Sequence, residues 1–421
     1  MAFIQGAGSK VVIQKSEDGT KKIQLPITSE ALNPGGTFAN SNAIFGSRVR
    51  GIGAKVNPTA DGSTDVELWM GVVPVIFYAA LGNKTSSGTG KTSSAGGDDV
   101  PITYTITPHI DGVPAFDIWV RHYIDTEYQY KITSAVVNSL RVALATDTPW
   151  TGTLDWIGLS WVKDSTTDLS SLAYDIESKS TDIIFQPNLV LFQMGSIDLL
   201  NYTTSMEFTI TNNIDADRFK LDGSGRFAVL PGDLEITGTL TVVMPDSSDS
   251  LGAILSTLDI GSTLSNISIK YEKVNSDVTH DVVDEETGEL AADATYTFAW
   301  GGEYTSITVE KSTDGTTYTA AEEGTDYTIN TNTSDHKAIL TNVSGGALYF
   351  RIDYSYHPID DVKVDLQNIY VTGLAHDVGG RGAVEYRIDF MCVKDGSDQP
   401  IIVTAENNSV SDTVYDRFVI E

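Results

Sequence analysis

Two stretches of this chain spell nearly the same thing about half a chain apart, and no other feature limits the possible folds as much. The first runs Ala143-Leu-Ala-Thr-Asp147, Thr148-Pro-Trp-Thr-Gly152, then Thr153-Leu-Asp-Trp-Ile-Gly-Leu-Ser-Trp-Val-Lys-Asp164. The second runs Gly373-Leu-Ala-His-Asp377, Val378-Gly-Gly-Arg-Gly382, then Ala383-Val-Glu-Tyr-Arg-Ile-Asp-Phe-Met-Cys-Val-Lys-Asp395. The offset is 373 − 143 = 230 at the start and 395 − 164 = 231 at the end, so one gap aligns them and sets Leu154-Asp155-Trp156 against Val384-Glu385-Tyr386. Two copies at long spacing predict a duplicated domain rather than a solenoid of short repeats.

The flanking sequence carries the same order twice. Asp65-Val-Glu-Leu-Trp-Met70 alternates with period two, as a half-buried strand does. Residues 74–81 follow as a short helix, with Pro74 in its first turn and Gly82 just past its end. In the second half residues 233–244 read as the strand. Residues 250–258 read as the helix, with Asp246 and Ser247 as cap candidates and Gly261 closing it. Further strands are expected at 10–14, 102–107, 115–120, 136–144 and 206–210, and a Gly/Ser/Thr-rich loop at 83–99. A polar loop at 212–227, with Arg218 and Arg226, stands where 42–55, with Arg48 and Arg50, stands in the first half. These four arginines are candidate inter-subunit contacts.

Residues 272–357 have no counterpart in the first half. Turn signals at Asp314-Gly315 and Gly345-Gly346 between short alternating runs predict a small β-sandwich inserted at an exposed loop, entered by a polar linker at 284–288. The chain thus divides into 1–185, then 186–271 with 358–421, and the insert 272–357. It is expected to be mainly β with one short helix in each of the two larger units.

Composition excludes several function classes. The 421 residues carry Lys+Arg 27 against Asp+Glu 57, a net charge of −30. Recognition of nucleic-acid phosphates needs clustered Lys and Arg, which such a chain lacks. The single cysteine, Cys392, forms no internal disulfide and shares a strand face with Ile388 and Phe390, where a buried thiol is expected. The start lacks a basic segment followed by an apolar one, and the longest apolar run, 70–81, is far below the ~20 residues that span a bilayer. A protein made in a cytoplasm and not inserted into a membrane is expected.

No catalytic constellation emerges, and no enzyme is expected. The six histidines show no i,i+4 pair for zinc. Gly88-Thr-Gly-Lys-Thr92 lacks the first glycine of a phosphate-binding loop, since Thr85 holds that position. Asp215-Ala-Asp217 resembles the start of a calcium loop, but Lys220 stands where glycine is required. No metal or cofactor is expected.

The repeated order of polar arm loop, strand (66–70; 236–244), short helix (74–81; 251–258) and closing strand pair (140–164; 369–395) resembles the tail tube (major tail) proteins of long-tailed bacteriophages, in the form with two fused tube domains. The resemblance covers most of the chain outside 272–357. It implies two tandem tail-tube-like domains of β-sandwich or barrel-forming type, with the insert resembling the small β-domains that decorate such tubes. In the commoner arrangement that domain follows the tube fold; here it interrupts it.

The resemblance also implies a role. Each tube domain would give a sheet to a closed ring, rings would stack into a hollow virion tail tube, and a fused pair would need three chains for a pseudo-sixfold ring. The partners would be further copies of the chain, other tail proteins at the ends, and phage DNA passing without specific contact. Three chains at −30 give −90 per ring, a charge that repels phosphate. Glu67, Asp155, Glu235 and Glu385 are the candidate bore-facing residues. The faces of the second closing strand alternate cleanly, whereas in the first the phase is expected to break at Trp156-Ile157, with a bulge or strong twist near Gly158. A β-rich tail-tip or fibre adhesin is the competing reading.

Overall fold

A computed structural model describes residues 9–16, 21–40, 53–56, 58–88, 102–110, 112–122, 128–146, 148–164, 166–176, 182–184, 188–221, 225–244, 249–274, 280–298, 302–331, 337–378 and 384–407. The chain is mainly β, with two helices among these residues. The strands needed here are β1 (Ile27–Glu30), β2 (Asn33–Pro34), β3 (Ala60–Glu67), β4 (Gln129–Ala145), β5 (Thr151–Gly158), β6 (Thr203–Thr211), β7 (Glu235–Val243), β8 (Tyr349–Leu366), β9 (Ile369–Val378) and β10 (Val384–Cys392). The helices are α1 (Val73–Leu81) and α2 (Ser250–Leu255).

One antiparallel sheet organises the molecule. Nine of its fourteen strands lie in the order β1–β2, β3, β5, β4, β6, β7, β10, β9, and the two-residue strand Thr263–Leu264 pairs with the start of β9. β1 and β2 act as one edge strand, because both meet β3 in a single register. No sheet of the lone chain closes into a barrel among the described residues.

The order is one four-strand unit written twice. β1–β2, β3, β5, β4 is followed by β6, β7, β10, β9, and the irregularities repeat with it. β1 carries a register shift between Ile27 and Ser29, and β6 one between Thr203 and Ser205 (203 − 27 = 176). At the bulged position Thr28 Oγ1 donates to the Asp65 carbonyl at 3.3 Å, and Thr204 Oγ1 to the Thr241 carbonyl at 3.4 Å. β4 shifts against β5 between Val137 and Ser139, and β9 against β10 between Val371 and Gly373 (371 − 137 = 234). A bulge places an extra residue in one strand and turns the pair, so four bulges in matched places give both units the same local twist.

This geometry corrects the alignment read from spelling. Leu140 faces Leu154 and Leu374 faces Ile388, so the structural offset of the closing strands is 388 − 154 = 234, not 230 or 231. Asp155 therefore corresponds to Asp389, and Glu385 to Thr151. The Leu-Ala-x-Asp spelling lies four residues out of structural register. The expected phase break is corrected too. Leu154, Trp156 and Gly158 are all buried, so alternation runs through Trp156 and Ile157, and the chain breaks at Leu159 before a short strand, Ser160–Lys163. The bulge sits opposite, in β4, which also turns at Ser134 (φ 48°) so that its first part pairs with Phe116–Arg121.

A second sheet covers the first. Its order is Ile197–Asp198, Leu189–Met194, Ile267–Val274, β8, Ile401–Asn407, Ile102–Pro108, Gly82–Ser87. Ile401–Asn407 thus pairs with Ile102–Pro108 from the first half of the chain, Val403 facing Ile106. Residues 83–87, expected in a loop, form its edge strand. α1 lies between the sheets and is buried on every side, as its unbroken apolar sequence requires. Gly82 ends it at φ 91°. Phe77 packs on Trp150 (6.4 Å) and Phe208 (6.3 Å), so the helix of the first half touches both four-strand units; burying such a ring contributes about 1.5–3 kcal/mol. α2 is shorter than expected, ending at Leu255. Its cap is Asp249, which accepts from Leu251 N–H, rather than Asp246 or Ser247.

Residues 280–356 hold their own core, built from Val282, Phe298, Val309, Leu340, Phe350, Ile352, Tyr354 and Tyr356 among others. It lies between a sheet of His280–Glu286, β8, Gly302–Ser312 and Thr319–Ala320 and a sheet of Thr295–Thr297, Ile339–Asn342 and Tyr327–Asn330. The expected linker at 284–288 is instead partly strand. Asp284 takes φ 56° at a bulge, and Glu285 is buried with its Oε2 accepting from Tyr354 Oη at 2.7 Å. β8 runs without interruption from this core into the second sheet, crossing residue 357 in mid-strand.

Candidate functional site

The four-strand units turn the same face away from the core. In β3 the buried positions are Ala60, Thr64 and Val66, which leaves Asp61, Ser63, Asp65 and Glu67 on the other side. Cross-strand pairing carries that side across the sheet. Asp155 faces Ser63 and Ser139, Ser139 faces Thr211, Thr211 faces Glu235, and Thr239 faces Asp389. Glu67, Asp155, Glu235 and Glu385, drawn from four different strands, therefore share one face of one sheet. Asp155, Glu235 and Glu385 are exposed; Glu67 is half-buried and accepts from Trp69 Nε1 at 3.1 Å.

The face holds more acid than the sequence reading named. Asp61, Asp65, Glu207 and Asp389 belong to it as well, and among the described residues its exposed cations are Arg141 and Arg387. Arg141 pairs with Glu207, which raises its already high basicity, and Arg387 pairs with Asp389 at 3.0 Å. Hydrogen bonds from Ser29 and Thr153, together with nearby Arg141, outweigh partial burial and hold the Asp65 carboxyl below the ordinary carboxylate range. Ser139 Oγ donates to Asp155 at 2.5 Å and Thr239 Oγ1 to Asp389 at 2.8 Å. Two of the missed residues carried a usable signal: positions 61, 63, 65 and 67 share parity, so extending the alternation from Glu67 would have found Asp61 and Asp65.

The four candidate arginines part company. Arg48 and Arg50 lie outside the described residues. Arg218 is exposed and held by Asp215 at 2.9 Å, which also accepts from Asp217 N–H. Arg226 is 6% exposed, and its guanidinium binds Asp61 through two nitrogens, the Gly158 carbonyl at 2.8 Å and the Ala216 carbonyl at 2.7 Å. It thus ties the loop after β6 to the first unit of the same chain.

No group of three or more His, Cys, Asp or Glu fit to hold a metal occurs among the described residues. Cys392 is buried, and burial pushes its thiol up to about 12. Of the glycine-rich motif at 88–92, only Gly88 lies within the described residues. No helix among them is long and apolar enough to cross a membrane. The face is an extended acidic surface, and β1–β2 and the end of β9 beyond Val371 have no strand on their outer sides among the described residues.

No curated protein matches the chain. A family model described as phage tail tube protein matches residues 7–302, more than half of the 421 residues. With that match set beside a mainly β fold, the chain belongs to the phage tail tube protein family and is a structural protein of the virion tail.

Proposed function

We propose that three copies of this chain form a pseudo-hexameric ring, that rings stack into the hollow tail tube, and that phage DNA passes through it into the host. The observation that carries this reading is the four-strand unit written twice in one open sheet, with matched bulges and one seam between β4 and β6. A unit able to join its own duplicate edge to edge is a unit able to join further copies, and a twisted sheet extended this way closes. Two units in each of three chains make six around the ring. Residues 1–185 and 186–271 with 358–421 act as two fused tube domains, and 272–357 as a decoration on the outside.

On this reading the acidic face lines the bore, with Glu67, Asp155, Glu235 and Glu385 in the wall. Phosphate then meets like charge, and counterion release, the main source of DNA affinity, is absent. Screening over about 8 Å at physiological salt leaves a narrow bore governed by its own wall. Self-association and contacts with other tail proteins at the tube ends are the interactions required; catalysis plays no part. Negative-stain microscopy with native mass measurement of the purified protein tests the proposal. Hollow tubes or three-chain rings support it, and a compact monomer at high concentration overturns it.

A further inference from the structure

From the internal seam we infer the register of the junction between chains: the outer edge of β9 pairs antiparallel with the β1–β2 edge of a second copy, Leu374 facing Pro34, Ala375 facing Asn33 and His376 facing Leu32. The inference rests on the ring reading and adds to it a specific contact. Within the chain β4 meets β6 with Leu140 facing Ile210, Arg141 facing Thr209 and Val142 facing Phe208. The structural offsets are 234 for β4 to β9 and 176 for β1–β2 to β6. Adding 234 to one side of the seam and subtracting 176 from the other gives the pairs above.

Three observations favour this register. First, both edges are open. Beyond Val371, β9 has no strand on its outer side, and β1–β2 has none opposite β3, among the described residues. Second, the inward positions at the β9 edge lack cover that their counterparts have. Leu140 and Val142 are fully buried at the seam, whereas Leu374 is half-buried and His376 exposed. Third, the charges agree. Arg141 and Glu207 pair across the seam, and their counterparts are Ala375 and Ala31. Both members are replaced together, so the register strands no unpaired charge.

The β1–β2 edge is blunted in the lone chain. Pro34 has no N–H, Glu30 Oε2 accepts from Leu32 N–H at 3.0 Å, and Tyr130 Oη donates to the Leu32 carbonyl at 2.5 Å. Edge strands are commonly protected in this way against indiscriminate pairing. Joining in this register releases the Glu30 and Tyr130 contacts at Leu32, so the free chain can fold before it assembles.

The test is oxidative cross-linking of the full chain with Asn33→Cys and Ala375→Cys together, against Ser29→Cys with Ala375→Cys as an out-of-register control. Cys392 is buried and stays silent. Dimers and trimers on a denaturing gel, ending at three chains and at least about tenfold stronger than in the control, are the expected result. Rings or tubes visible by microscopy without this cross-link, or with the control pair equally linked, overturn the register and leave the ring standing. A wild-type protein that forms no oligomer overturns both.

Discussion

Arg226 grips the carboxylate of Asp61 with both ends of its guanidinium, at 2.5 Å to Oδ1 and 2.7 Å to Oδ2, although the two residues stand 165 positions apart. The contact crosses from the loop after β6 to β3 of the other unit. It lies at the same end of the seam where Asn212 Nδ2 donates to the Ala80 and Val137 carbonyls, both at 2.9 Å. The duplicate units are thus joined by a strand pair along their length and by side chains at one end.

Arg226→Ala is expected to lower stability by about 2 kcal/mol, since the substitution leaves Asp61 and two carbonyls without their donor. Arg226→Lys is expected to recover less than half, because an ammonium cannot bind both carboxylate oxygens and the Gly158 carbonyl in one plane. Urea unfolding midpoints of the two variants check this. Equal midpoints for wild type and Arg226→Ala would remove the clamp from the account.

Glycine opposite a buried aromatic recurs in both units, Gly62 facing Trp156 and Gly238 facing Phe390. A Cβ on Gly238 would lie 2.3 Å from the Phe390 ring and 2.7 Å from the Glu207 carbonyl. Gly238→Ala is therefore expected to cost about 1–3 kcal/mol through overpacking. Gly288 has nothing within 4 Å of its Cβ position, and Gly288→Ala is expected to change the midpoint little. Thermal melts of the pair decide the matter.

Those glycines also mark what the sequence displayed and what it hid. Period-two alternation revealed strands such as β7 and β10, and Pro74 with Gly82 fixed α1 within a residue, because each signal is local. The duplication was visible, yet its register was not. Leu-Ala-x-Asp recurs by spelling, while the bulges at Thr28, Thr204, Asn138 and Thr372 that set the true offset depend on cross-strand partners. Arg226 looked like a surface cation because its partner Asp61 is distant in sequence. The shared face of Glu67, Asp155, Glu235 and Glu385 needed strand order as well as parity, and strand order is a long-range property.

Burial pushes the Asp361 carboxyl in β8 up to about 6; Lys270 at 3.0 Å pulls against this, and Glu406 and Glu272 add to it. The folded value lies above the ordinary 3.8, so the folded chain binds the extra proton. The stability this group contributes is full below about 4 and is lost as pH rises through about 6. Asp361→Asn stays neutral throughout, and Lys270 keeps Glu272 at 2.6 Å. The wild-type midpoint minus the variant midpoint is expected to fall between pH 4 and pH 7. A difference that stays flat over that range contradicts the assignment.

Wall charge is open to a direct test. Glu235 and Glu385 are exposed and have no role in the core. Changing both to Lys is expected to leave the melting midpoint near wild type. It reverses charge at two places per chain on the proposed bore. Assembled wild-type protein is expected to retain no short duplex DNA, and the double variant to retain it with an affinity that falls steeply with salt. Equal retention by both would place these side chains away from the DNA path.

Excision of the insert follows from the course of β8. The strand Ile267–Val274 pairs with the end of β8 from Ile267 facing Leu366 to Val274 facing Ile359, so the two already form a hairpin whose far end carries residues 275–358. The core at 280–356 shares no buried residue with the main core. Replacing 275–358 with Asn-Gly supplies a two-residue turn of the type such a hairpin accepts. The shortened chain is expected to keep its main unfolding transition and to assemble as the full chain does, with one thermal transition lost. Loss of assembly in a shortened chain that still melts cooperatively would show that these residues belong to the ring itself.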